Sequence, residues 1–168
     1  MQLAFGILTH TPLWVFALLA YLVWQGLKAM QPRTTPIWRA LIVPAVFIVW
    51  GVSRIGLGYQ DNIWPLVAWI VAALALLPVG LLTQRPFELD HASGEIIRPG
   101  SVVPLIRNVT IFALQYAVAV IIAVDPDGRT AAAVTGRAIS GATAGYFIGS
   151  TIALLRAYFR KRAIDAGT

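Results

Sequence analysis

The chain contains no cysteine and few charged residues. Without a thiol it cannot form a disulfide, a thiolate metal site or a cysteine nucleophile. Only 12% of its 168 residues are charged, whereas a soluble domain carries roughly a quarter. Because 58% of the residues are hydrophobic, the composition suits a lipid bilayer better than water.

Acidic residues are absent from the hydrophobic runs. All of them fall between those runs or in the C-terminal tail, namely Asp61, Glu88, Asp90, Glu95, Asp125, Asp127 and Asp165. We therefore expect no carboxylate in the bilayer to carry protons or cations, which argues against proton-coupled antiport of the small multidrug type. The histidines, His10 and His91, are expected on opposite sides of the membrane, so we predict no metal site and no cofactor.

Catalytic motifs are also missing from the sequence. It contains no nucleophile elbow, P-loop, zinc motif or paired-carboxylate site. Asp90, His91 and Ser93 are the residue types of a catalytic triad, but neighbours within one turn cannot adopt the geometry of a triad. The sequence therefore predicts a protein that is not an enzyme.

Five apolar runs of bilayer-crossing length account for most of the chain. We predict helices at about residues 12–30, 37–57, 63–83, 105–124 and 137–158, in a single transmembrane domain over residues 1–168. The fifth helix could begin as early as Thr130. Residues 86–99 contain two short segments around a turn at Gly94, which predicts a small β-hairpin at the membrane surface. The predicted fold is an all-α integral membrane protein with five transmembrane helices.

Lysine and arginine residues are divided unequally between the two sides of this arrangement. The first loop, the third loop and the C-terminus carry Lys28, Arg33, Arg39, Arg85, Arg98, Arg107, Arg156, Arg160, Lys161 and Arg162. The opposite side carries only Arg54, Arg129 and Arg137. The positive-inside rule predicts an external N-terminus, with the hairpin and the C-terminus in the cytoplasm. The net charge of +6 then faces membrane lipids, and we expect no nucleic-acid partner.

Small residues recur at every fourth position of the fifth helix. They are Gly141, Gly145, Gly149, Ala153 and Ala157. Such spacing resembles a glycine zipper, because it lines one helix face with small residues that let a second backbone approach closely. We favour packing against another helix of the same chain. The alternatives are a homo-oligomer, in which a second copy packs there, or a membrane partner protein.

Several polar residues are the remaining candidates for function. Asn108 and Gln115 share one face of the fourth helix, and the hydroxyls expected to meet them belong to Ser140, Thr143 and Ser150. These groups form either interhelical contacts, which we favour, or part of a polar path for a substrate. The candidates for contact with an anion or a lipid headgroup are Arg54, Arg156, Arg160, Lys161 and Arg162.

The sequence resembles a known family in two features. They are the short first loop, which contains prolines, and the N-terminal motif Leu8-Thr9-His10-Thr11-Pro12-Leu13-Trp14. With the five-span plan, they resemble an uncharacterised family of small bacterial inner-membrane proteins that has no assigned activity. The resemblance implies location and topology but no catalytic residue. We expect a non-enzymatic protein that assembles with a partner; the alternative is a subunit of a small oligomeric transporter or channel.

Overall fold

The computed structural model describes residues 11–39, 41–42, 45, 49, 63–83, 87–90, 93, 95–125 and 127–165. Its four fully described helices are α1 (Leu13–Lys28), α2 (Trp64–Leu82), α3 (Val103–Val124) and α4 (Arg129–Asp165). They correspond to the first, third, fourth and fifth predicted helices. Of the second, residues 37–39, 41–42, 45 and 49 are helical and the rest lies outside the described residues. His10, Arg54, Asp61 and His91 also lie outside them.

The helix ends follow from local sequence chemistry. Prolines occupy the first turns of α2 and α3, where a missing N–H costs no hydrogen bond. Lys28 lies in the last turn of α1 and complements the negative end of the helix dipole. At the α3 terminus, Nε of Arg129 donates a 3.0 Å hydrogen bond to the carbonyl of Ile122. This bond satisfies one of the carbonyls that a helix end leaves open.

Helix α4 is longer than the predicted fifth span. It begins at Arg129 and has 37 residues, which corresponds to roughly 55 Å at the rise of an α-helix. Alanines 131–133 favour the helical state, and this explains the early start. Because a hydrocarbon core is only about 30 Å thick, part of α4 must extend beyond it.

Three of the described helices, α2, α3 and α4, are long and apolar enough to cross a membrane. Helix α2 leaves Val71 and Leu74 60% and 65% exposed. In water such exposure would cost about 25 cal/mol for each Å² of apolar surface, whereas lipid tails cover it without that cost. The chain is therefore a helical membrane protein.

A small antiparallel sheet joins two loops at one end of the bundle. Its strands are β1 (Arg33–Thr35), β2 (Glu88–Leu89) and β3 (Ile96–Arg98), in the order β1-β3-β2. Strands β2 and β3 form the hairpin expected from the sequence. Strand β1 was not expected, because the first loop has the composition of a turn. A 2.9 Å bond from the Ser101 N–H to the Ala29 carbonyl also ties the two loops together.

The sheet packs against the C-terminal part of α4. Ile96 is fully buried and forms a cluster with Phe87, Leu154 and Tyr158. Ile37 and Ala157 pack around this cluster. We call the three strands together with residues 154–162 of α4 the platform. The platform brings the first loop, the third loop and the end of α4 to one side of the bundle.

Candidate functional site

The glycine face of α4 lies against α2 of the same chain. A Cβ atom added to Gly141, Gly145 or Gly149 would overlap a backbone carbonyl oxygen of α2. The three oxygens belong, in the same order, to Trp69, Ala73 and Leu77. Because the residue numbers rise in the same direction along both helices, α2 and α4 run parallel. Only glycine leaves room for this approach.

The contact is reciprocal and extends along the helices. A Cβ atom on Gly80 of α2 would overlap the carbonyl of Tyr146 on α4, and Ala153 is buried further along α4. Carbonyl oxygens facing glycine Cα–H groups form the weak C–H···O contacts typical of closely packed helices. Since α2 covers the glycine face, a second copy or a partner protein would have to use a different surface of α4.

Gln115 joins α3 to α4. Its Nε2 donates a 3.3 Å hydrogen bond to the carbonyl of Gly136, so its partner is a backbone oxygen and not one of the expected hydroxyls. Thr143 and Ser150 donate instead to Ile139 and Phe147, carbonyls of their own helix. Helical threonine and serine commonly bond back in this way. Ser140 is half-buried on the same helix.

Asn108 contacts a cation that was not among the predicted site residues. Nε and Nη2 of Arg107 each lie 3.3 Å from the Asn108 Oδ1, which accepts hydrogen bonds from both. The Arg107 guanidinium lies 4.5 Å from the ring centroid of Phe147 and 6.0 Å from that of Tyr146. It therefore makes cation–π contacts with α4. The adjacent Arg-Asn pair near the start of an apolar helix was the available sequence signal.

Replacing Gln115 with leucine is expected to destabilise the protein by about 0.6 kcal/mol, and by no more than about 1.7 kcal/mol, the range for hydrogen bonds between membrane helices. The measurement is reversible unfolding in detergent micelles. A suitable control is Leu114→Ala, because Leu114 is the exposed neighbour of Gln115. A cost of several kcal/mol would mean that Gln115 does more than join α3 to α4.

The predicted basic residues of the tail fall into two groups. Arg156, Arg160 and Arg162 are exposed. Lys161 is half-buried, donates to the carbonyl of Phe87 and lies 4.6 Å from the centroid of that ring. Lys161 thus holds the hairpin to α4, while its three basic neighbours face outward.

Two polar residues beside the hairpin turn, Asp90 and Ser93, make local hydrogen bonds. Ser93 Oγ donates a 2.6 Å hydrogen bond to Asp90 Oδ2 and accepts one of 3.3 Å from the Glu95 N–H. The Asp90 N–H donates to the Glu95 carbonyl at 2.9 Å. Ser93 and Asp90 therefore close a turn. Within the described ranges, no group of three or more His, Cys, Asp or Glu residues is arranged to hold a metal ion.

Comparison with known proteins identifies a family but gives no activity. Neither a curated protein nor a solved structure matches the chain. The model of a family of unknown function matches residues 1–165, nearly the whole chain. The resemblance to an uncharacterised family is thereby confirmed, and the chain belongs to the family of unknown function DUF6622.

Proposed function

We propose that this protein is a non-enzymatic, five-span protein of the bacterial inner membrane whose platform binds a partner protein in the cytoplasm. The observation that carries the proposal is the construction of the platform. A loop that only joins two spans needs no buried core, yet here Ile96 is fully buried between the sheet and α4. Binding surfaces depend on such rigid support.

The orientation is supported by the distribution of charge. The platform gathers the segments that hold most of the lysine and arginine residues, and these favour the cytoplasmic side. Parallel α2 and α4, separated in sequence by α3, fit an odd number of spans with the C-terminus inside. On the opposite side, the tight turn after α3 contains the acidic residues Asp125 and Asp127.

The outer face of the sheet is the proposed contact surface. Thr34 and Glu88 both pair with Ile97, so all three side chains lie on the face opposite Ile96. Thr34 and Glu88 are exposed and Ile97 is half-buried. A short surface of mixed polarity beside a rigid core is suited to a transient protein partner.

Photo-crosslinking in living cells tests this proposal. With a photoreactive amino acid at Thr34 or Glu88, we expect one discrete adduct with another protein. The same probe at Thr135, which is exposed near the opposite end of α4, is the control and should not give that adduct. Ile96→Asp, which undocks the sheet, should abolish the adduct. Crosslinks to lipid alone, or an adduct that survives Ile96→Asp, would contradict a platform-bound partner.

The second candidate is a transporter or channel subunit, and it is favoured by the half-buried polar groups between α3 and α4. Gln115 and Arg107 lie there, but each already has a hydrogen-bond partner in the chain. Because these groups are already hydrogen-bonded within the chain, they support a role in contact between the helices rather than in a path for a transported solute. We therefore expect proteoliposomes containing the protein to show no ion or solute flux above protein-free vesicles. Flux that is lost in the Gln115→Leu variant would contradict the proposal.

A further inference from the structure

The C-terminal part of α4 projects beyond the helix that packs against it. Gly149 of α4 meets Leu77 of α2, and the same offset of 72 residues holds at the two earlier glycine contacts. The last residue of α2, Leu82, therefore lies level with Leu154. Helix α4 continues from there to Asp165, which adds roughly 16 Å of helix.

The end of α2 marks one boundary of the hydrocarbon core. The 19 residues of α2 span roughly 28 Å, which is close to the roughly 30 Å thickness of that core. Helix α3 begins at a similar level, because Arg107 near its start lies over Phe147 of α4. At the end of α1, Lys28 Nζ lies 5.2 Å from the Trp24 ring centroid, a pairing typical of the headgroup layer. The residues of α4 beyond Leu154 therefore lie in the headgroup layer and the water next to it.

This projecting segment has one covered face and one exposed face. The sheet covers the face that includes Tyr158. Arg156, Phe159 and Arg160 share the opposite face, because spacings of three and four residues lie on one side of a helix. All three are exposed, and Phe159 is 60% exposed. The sequence from residue 129 to residue 164 contains no acidic residue, so neither arginine has a carboxylate one helical turn away to pair with.

The direction of helical side chains brings these groups back towards the membrane. In an α-helix the Cα–Cβ bonds tilt towards the N-terminus, so a side chain covers the turn that precedes its own Cα. Here that direction leads into the bilayer. The Cα atoms of Arg156 and Arg160 lie roughly 3 Å and 9 Å beyond the level of Leu154, and a headgroup layer is about 5–7 Å thick. Both guanidinium groups are therefore within reach of the phosphates, and the Phe159 ring is within reach of the hydrocarbon boundary.

We propose that Arg156, Phe159 and Arg160 form a binding site for anionic phospholipids. Each guanidinium group presents paired N–H donors that match phosphate oxygens. The aromatic ring between them packs on the apolar part of the lipid, as in helices that bind anionic membranes. The position at headgroup level favours a lipid over a soluble phosphate or a protein. The site is separate from the proposed protein-binding surface, because it lies on the face of α4 that points away from the sheet.

The test is the thermal stability of the full chain in lipid nanodiscs. We expect a Tm about 2–4 °C higher in an equal mixture of phosphatidylcholine and phosphatidylglycerol than in phosphatidylcholine alone. The double variant Arg156→Gln, Arg160→Gln should lose more than half of this gain. The matched control is Arg33→Gln, Arg162→Gln, which removes the same charge from exposed positions outside this face and should keep most of the gain. Each variant is compared with itself in the two lipids, so a change in folding alone does not affect the gain.

A depth measurement distinguishes contact with lipid from exposure to water. The chain has no native cysteine, so a nitroxide can be attached to Phe159→Cys or to Ala163→Cys, one turn further along the same exposed face. In the mixed-lipid nanodiscs, the nitroxide on Phe159→Cys should be more accessible to oxygen than to a water-soluble nickel complex. The nitroxide on Ala163→Cys should show the reverse.

Two further arms complete the test. Arg160→Gln alone replaces the double variant if that variant fails to fold, and it should lose a measurable part of the gain. Inorganic phosphate added to phosphatidylcholine nanodiscs should not reproduce the gain. A wild type without a gain, or a gain kept in the α4 variants or lost equally in the control, would overturn the site. Reproduction of the gain by inorganic phosphate, or equal nickel accessibility of the two nitroxides, would overturn its assignment to a membrane lipid.

Discussion

Replacing Gly145 with isoleucine is expected to destabilise the protein by about 3 kcal/mol or more. The new side chain would occupy the position of the Ala73 carbonyl and of the backbone beside it. Because backbone cannot move aside as a flexible side chain can, α2 and α4 would have to separate. The adjacent contacts of Gly141 and Gly149 would be lost with them. Chemical unfolding in detergent micelles measures this loss.

Thr135→Ile is the matched control, because it places the same side chain on an exposed position of the same helix. Its cost should stay below about 1 kcal/mol. Oligomeric state should be measured on the same samples. A contradicting result would be a wild type that is an oligomer and a Gly145→Ile variant that is a folded monomer with the same unfolding free energy per chain. The glycine face would then serve assembly and not the packing of α2 on α4.

Replacing Ile96 with alanine is expected to cost about 2–5 kcal/mol of platform stability. Ile96 is fully buried, and its side chain fills the space between Phe87, Leu154 and Tyr158. Truncation leaves a cavity that the short strands cannot close. Amide hydrogen exchange over residues 87–98 should accelerate by a factor of about thirty or more, since each 1.4 kcal/mol of local opening is tenfold.

Ile97→Ala is the control for that experiment, because Ile97 is the same residue type on the opposite face of the same strand. The acceleration of exchange caused by Ile97→Ala should be at least about tenfold smaller than that caused by Ile96→Ala, because Ile97 is only half-buried. The helices should remain folded in both variants, as judged by far-UV circular dichroism. Equal acceleration by the two substitutions would mean that the sheet does not dock through Ile96.

The sequence predicts the small-residue face of α4 but not the helix that covers it. Spacing alone shows that Gly141, Gly145 and Gly149 share a face. Helix α2 is apolar on every side, and hydrophobicity does not drive one membrane helix towards another. The small residues Ala73 and Gly80 of α2, seven positions apart, were the available signal. They were too few to distinguish an intrachain partner from a second copy.

The platform shows why strand pairing between distant segments is difficult to predict from the sequence. The hairpin of β2 and β3 follows from a local turn and was expected. Strand β1 has only three residues and pairs with a strand from a distant loop, so no local periodicity indicates it. Gln115 was likewise expected to face the bundle. Its acceptor is a carbonyl, which every residue possesses, and sequence patterns therefore cannot single it out.

Labelling of single cysteines tests the proposal that the platform lies on the cytoplasmic side of a five-span bundle. The chain has no native cysteine, so each introduced thiol reports one position. We expect a membrane-impermeant maleimide to label Asp127→Cys in intact spheroplasts, and to label Thr34→Cys and Arg160→Cys only after permeabilisation. Labelling of Thr34→Cys or Arg160→Cys in intact spheroplasts, or protection of Asp127→Cys, would contradict the claim.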